Sequence, residues 1–306
     1  MSEERDKVQK IRENFKELEK QISQKTDLKE LFDLWRNAHA SEVDEIKEQM
    51  KAKASINEDD KKIFETELYH SKSRINGIKY KNTISSHFVQ FFDRECSCNE
   101  PAWEYVLKHA FNMDGGYGTF QPKKDGYKYI CLLKEANDSK KVCVRNYKPD
   151  IRAKKINEWV MKERESHSLL IALDEAFKIF YKSKKDSECQ DFTEEMAYMN
   201  INKRGGTSST KVVDETAVIN YAEKYKEFIL KEIEILSRNS EEVRVFVCGS
   251  KSYFTRLMGA MFGKEERKKA QKDAVLPHNN ITFIQISHPS CWKVTSEKRA
   301  EEMQRG

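Results

Sequence analysis

Apolar residues keep a helical rhythm through the first 75 positions. Val8, Ile11, Phe15, Leu18 and Ile22 lie 3, 4, 3 and 4 residues apart, which lines one helix face with a continuous seam. Lys25-Thr26-Asp27 interrupts it. Asp27 with Glu30 has the capping-box pattern and starts a second helix that carries Leu31, Trp35, Val43, Ile46 and Met50. Asn57 or Asp60 is placed to start a third helix running to about Ser73. The expectation for residues 1–80 is a helical bundle or coiled-coil region. The seam suits packing within the chain at least as well as self-association or a protein partner.

From Ser85 to Phe120 the pattern is mixed, with aromatics at Phe88, Phe91, Phe92, Trp103, Tyr105 and Phe111 and a turn signal at Asp114-Gly115-Gly116. Beyond it, short β-rich runs alternate with helical periodicity. Strands are expected at Tyr127–Leu133, Met196–Ile201, Val243–Cys248 and Ile281–Ile286. Helices are expected over about Arg152–Tyr181, after Asp214 (apolar face Val218, Tyr221, Tyr225, Phe228, Ile229, Ile235) and over Lys251–Phe262. Strands separated by helices of this length call for right-handed crossovers and a parallel sheet. The predicted fold class is α/β, with residues 81–306 building a four-stranded parallel sheet flanked by helices. Sheets of this class bind their ligands at the carboxyl ends of the strands, so chemistry is sought there.

Composition narrows the possibilities. The chain has 306 residues, 35% of them charged, and a mean hydropathy of -0.83. No apolar run approaches the length of a membrane span, and Met1-Ser2-Glu3-Glu4-Arg5 leads into charge with no apolar signal segment. Seven cysteines, with Cys131 and Cys248 inside apolar strands, fit reduced thiols and a cytoplasmic location better than a disulfide framework. Cys96-Ser97-Cys98 has no second ligand pair in register and reads as unligated thiols, so neither a metal nor another cofactor is expected. Residues 1–75 hold 16 Lys/Arg against 18 Asp/Glu, and the remainder 40 against 33. The basic excess lies in the C-terminal part and admits an anionic partner such as nucleic acid.

The strand ends carry the candidate chemistry. After the first strand comes Lys134-Glu135-Ala136-Asn137-Asp138. After the second come Asn200, Asn202 and the basic run Lys203-Arg204-Gly205-Gly206. The third is followed by Gly249-Ser250-Lys251, and the fourth by His288-Pro289-Ser290-Cys291-Trp292-Lys293. Ser287-His288-Pro289-Ser290 after a final apolar strand resembles the second signature of the uracil-DNA glycosylase superfamily. Leu133 to Asp138 resembles its first signature, with Glu135-Ala136 in register with the family's Glu-Ala form, Lys134 where the family has glycine and Asn137 where it has proline. Asn200 is similar to the family's strand-borne asparagine, and Val245 to Ser250 to its glycine-ended third strand. The resemblance spans roughly residues 125–295.

That resemblance implies an enzyme that flips a nucleotide out of DNA and hydrolyses its glycosidic bond, leaving an abasic site. His288 would donate to the departing base, and Glu135 or Asp138 would act on water or on the cationic sugar, with Asn137 able to hold that water. Ala136, Asn200 and Ser290 would line the base pocket. Lys203, Arg204, Ser250, Lys251, Trp292 and Lys293 would contact DNA. The base would be uracil or another modified base, in repair or in defence against foreign DNA. Two other classes stay open: a catalytically silent DNA-binding sensor of the same fold, and a scaffold whose N-terminal helices bind a partner.

Overall fold

The structure, a computed structural model, describes residues 13, 16–51, 73–75, 78–80, 83, 108, 111, 126–137, 168–185, 195–206, 215–289, 291 and 293–305. Val8, Ile11 and Phe15 of the seam, the helix expected from residue 57, the aromatics of residues 88–105, Cys96, Cys98, the Gly115-Gly116 turn, Asp214, and residues 152–167 of an expected helix lie outside the described residues.

The described elements are α1 (Leu28–Lys51), β1 (Ser73–Ile75), β2 (Ile78–Tyr80), β3 (Tyr129–Asn137), α2 (Ser168–Lys185), β4 (Met196–Gly206), α3 (Glu215–Lys224), α4 (Lys226–Leu236), β5 (Val243–Cys248), α5 (Lys251–Phe262), α6 (Lys264–Asp273), β6 (Val275–His278), β7 (Ile281–Ile286) and α7 (Ser296–Met303). They divide into two compact units. The first comprises Met1–Met113, Glu135–Pro149 and Asn202–Lys231, and the second Asp114–Lys134, Asp150–Ile201 and Glu232–Gly306. No single cut near residue 80 separates them, because β3 and β4 begin in the second unit and finish in the first.

The sheet has five strands in the order β4-β3-β5-β7-β6, not the four expected. β3 pairs parallel with β5, and β5 parallel with β7 in the register Val243↔Ile281 to Cys248↔Ile286. The fifth strand, β6, runs antiparallel to β7 at the sheet edge. Its sequence, Val275-Leu276-Pro277-His278, hides it from pattern reading, since a proline removes a ladder donor and is tolerated only where one side needs no partner. β5 and β7 are buried at every position but their second, as central strands covered on both faces should be. On one face Tyr129, Cys131, Phe246, Cys248, Ile284 and Ile286 form a core with Phe177 and Phe180 of α2 and Ala300 and Met303 of α7. On the other, Phe262 of α5 packs its ring 5.4 Å from that of Phe283.

The first unit gathers around Trp35 of α1. Its indole lies among Phe111, Tyr221, Tyr225 and Phe228, with ring centroids 5.1 to 6.2 Å away. Asp27 starts α1 as the sequence pattern predicts, its Oδ1 accepting from the backbone N–H of Lys29 at 2.7 Å and of Glu30 at 3.3 Å. The helix expected after Asp214 is two helices, broken at Tyr225. Where a helix was expected to reach Ser73, Ser73 opens an antiparallel ribbon closed by the Ile75↔Ile78 pair. The intervening sequence is Asn76-Gly77, the strongest short-range hairpin signal, which a search for helical periodicity passes over.

Candidate functional site

Two of the four expected strand-end motifs are not beyond strands at all. β3 continues through Glu135, Ala136 and Asn137, and β4 continues past Asn200 to Gly206. The side chains of Glu135, Ala136 and Asn137 and the whole of Asp138, Ser290 and Trp292 lie outside the description. Asn200 is the fifth of the eleven residues of β4 and is 3% exposed. The ends of β5 and β7 fall where the pattern put them, and the second unit's candidate site is built there.

β5 ends at Cys248 and Gly249 turns the chain into α5. A Cβ at Gly249 would stand 2.6 Å from the Tyr253 ring, so only glycine admits this approach. Ser250 is the N-cap: its Oγ accepts from the Tyr253 N–H at 3.1 Å, and the residue is exposed. Lys251 is exposed with its Nζ donating to the Lys272 carbonyl at 3.2 Å, and Lys293 is exposed. Gln285 of β7, buried in the sheet, donates from its amide to the Gly249 carbonyl at 2.8 Å and accepts from Arg305 at 3.1 Å, which ties the two strand ends together.

His288 follows β7 by two residues. Around it, α7 supplies two side chains that pattern reading missed. The Glu302 carboxylate accepts from the Ser287 N–H at 2.6 Å and from the Ser287 hydroxyl at 3.0 Å. Arg299 donates through Nη2 to the carbonyls of His288 (3.4 Å), Pro289 (3.0 Å) and Cys291 (2.7 Å). Thr295 caps α7 by accepting from the Lys298 N–H at 3.3 Å, and Thr295-Ser296-Glu297 was the available signal for this helix. Burial, then the positive charges of Lys134 and Arg299, push the His288 imidazole down to about 4. It is therefore neutral at pH 7, with one ring nitrogen donating and the other accepting. Lys134 itself lies with its Nζ 4.6 Å from the centre of the Tyr253 ring.

Lys203 and Arg204 need correction. They were expected in a basic loop that grips phosphate, yet both lie on β4 and are fully buried in the first unit. Lys203 places its Nζ 5.7 Å from the Phe32 ring centre and 5.5 Å from that of Trp35. Arg204 donates through Nη2 to Glu42 Oε2 at 2.7 Å and through Nη1 to the Thr83 hydroxyl at 2.7 Å. Tyr225 also donates its hydroxyl to Glu42, and Lys224 stands 3.6 Å from the same carboxylate. Burial raises the Glu42 carboxyl, but the charges of Arg204 and Lys224 and the hydrogen bonds from Tyr225 and Arg204 outweigh it and hold it far below the usual range. Burial and the Glu42 charge push the Tyr225 phenol well above its ordinary value. Beside this cluster, His39 Nε2 and the Tyr221 hydroxyl share a hydrogen bond of 2.8 Å. Two cations before a Gly-Gly pair read as a loop; they lie instead on a strand, and Arg204 finds partners 121 and 162 residues away.

Among the described residues no group of three or more His, Cys, Asp or Glu is placed to hold a metal ion, and no helix is long and apolar enough to cross a membrane. Comparison with protein-family models, with curated proteins and with solved structures returns no match.

Proposed function

We propose that the second unit belongs to a DNA glycosylase that releases uracil or another modified base by hydrolysing its glycosidic bond. His288 carries this reading. A half-buried, neutral imidazole beside two cations, at the carboxyl end of a parallel strand, is suited to donate to an oxygen on which negative charge develops as a base departs. The partial burial matters because a donor shielded from solvent acts more strongly than one in bulk water. Asn200, whose amide offers a donor and an acceptor together, would read the edge of the flipped base. Ser250, Lys251 and Lys293, all exposed, remain as candidates for backbone contact with DNA, and Lys203 and Arg204 drop out.

The test is incubation of the full chain, without added metal or nucleotide, with DNAs containing uracil and bulky modified pyrimidines, followed by alkaline cleavage at abasic sites. Release of a free base from one panel member is the expected outcome. Salt-dependent DNA binding with no abasic site on any substrate would replace this reading by that of a silent sensor.

A further inference from the structure

Arg299 is an unusual residue to find enclosed. It is 2% exposed, its Nη2 serves three backbone carbonyls, and its Nε has no hydrogen-bond partner among the described residues. Glu302, one turn further on α7, accepts from the N–H and hydroxyl of Ser287 and stands 3.8 Å from Arg305. A guanidinium balanced by carbonyl dipoles is an expensive way to fill space, and an apolar side chain would pack α7 at less cost. Its position says what it does in exchange. The turn from His288 to Cys291 closes on itself through the Cys291 N–H and the His288 carbonyl at 2.8 Å, and Arg299 sits where three of its carbonyls converge. Glu302 holds the residue before His288 and Arg299 holds the residues at and after it, so one helix pins the backbone on both sides of the imidazole.

We infer that Arg299 is a positioning residue: it fixes the His288–Cys291 turn so that the His288 imidazole is held in one orientation at the sheet edge. The inference rests on the reading of His288 as the donor to a departing base. Among the described residues, the charges that act on the imidazole include Lys134 from β3 and Arg299 from α7, with the Glu302 carboxylate on the neighbouring Ser287. Removing the Arg299 charge therefore lets the imidazole take up a proton at higher pH, whereas replacing it by lysine keeps the charge and loses the three-way grip.

The experiment uses the full chain with Arg299→Gln and Arg299→Lys, folding checked by circular dichroism. Two quantities are read: the titration midpoint of the His288 imidazole by NMR, assigned with His288→Ala, and the single-turnover rate of base release. In Arg299→Gln the midpoint should rise above about 4 but stay low, because burial and the Lys134 charge still act on the imidazole, and the acid limb of the rate profile should move with it. In Arg299→Lys the midpoint should stay low while the rate falls on the order of ten- to a hundredfold, the scale of a misplaced catalytic group. A folded Arg299→Gln protein with an unmoved midpoint overturns the inference, as does loss of the native fold in both variants. If the midpoint shifts while the wild-type chain releases no base, Arg299 acts on the imidazole through its charge alone, and both the positioning and the glycosylase reading fall.

Discussion

Arg204 Nη2 lies 2.7 Å from Glu42 Oε2, and both side chains are completely enclosed. They come from β4 and α1, 162 residues apart in the chain. Thr83 donates to the second Glu42 oxygen at 3.1 Å, so the carboxylate and the guanidinium share a third partner. An ion pair without access to water contributes little by existing but is costly to break, because the survivor keeps its buried charge without its principal counter-ion.

Breaking it from either side should therefore be severe. Glu42→Met or Arg204→Met alone should lower stability by about 3–5 kcal/mol, and the double replacement should recover a good part of that loss. Urea denaturation of the three variants checks this. A double variant as unstable as the sum of the singles would mean that the pair acts independently of one another. Removal of the first 81 residues strips Glu42 from Arg204 and Trp35 from its aromatic neighbours. Such a chain should lose cooperative folding of the first unit.

Stability should also depend on His288 in the acid range. Its folded value, about 4, is below the ordinary 6.5, so the unfolded chain binds the extra proton first. The resulting loss of stability is nil above pH 6.5, grows as pH falls, and is complete near pH 4. At about 1.4 kcal/mol per unit it amounts to on the order of 3 kcal/mol. Denaturation midpoints of the wild type and His288→Gln between pH 7.5 and 4.5 should diverge, the variant losing less. Parallel curves would show a solvated imidazole.

For catalysis, His288→Ala should reduce the single-turnover rate of base release by roughly a hundredfold or more, the scale for one lost donor to a developing anion. DNA affinity should hardly move, since phosphate contacts dominate it. Near-normal cleavage by a folded variant would leave His288 a structural residue.

Cys131 and Cys248 touch, with their sulfurs 3.4 Å apart on neighbouring strands. In the parallel register Cys131 stands opposite Phe246, two residues short of Cys248. A bridge would have to span that diagonal, and ladder geometry sets the Cα atoms beyond the usual disulfide range. Burial, then the hydrogen bond with Cys131, push the Cys248 thiol well up, which starves it of thiolate. Both cysteines should stay reduced in air and react with an alkylating reagent only after unfolding, as mass spectrometry of the labelled peptides would show. A Cys131–Cys248 linked peptide from the native protein would contradict this.

The sequence by itself determined the local elements whose cause is local. Ile281–Ile286, Val243–Cys248 and Lys251–Phe262 were legible to the residue because continuous apolar runs, a terminating glycine and a serine cap act on the chain within a few positions. The end of the Ile281–Ile286 run put His288 beyond a strand, and its role came from the resemblance of Ser287-His288-Pro289-Ser290 to a family signature. Pattern could not show where β3 and β4 stop, because neither strand has a breaker at the point where the apolar run ends. It missed β6, whose proline is acceptable only at an edge that the assembled sheet creates. It also placed Lys203 and Arg204 in water, since a cation in a sequence carries no mark of its partner. Glu42 on α1, the aromatic rings of Phe32 and Trp35, and the Arg299 grip on the His288 turn exist only once distant segments are packed together. Tertiary structure decides whether a charge is solvated or enclosed, because the free energy of burying it depends on groups that the chain brings together only by folding.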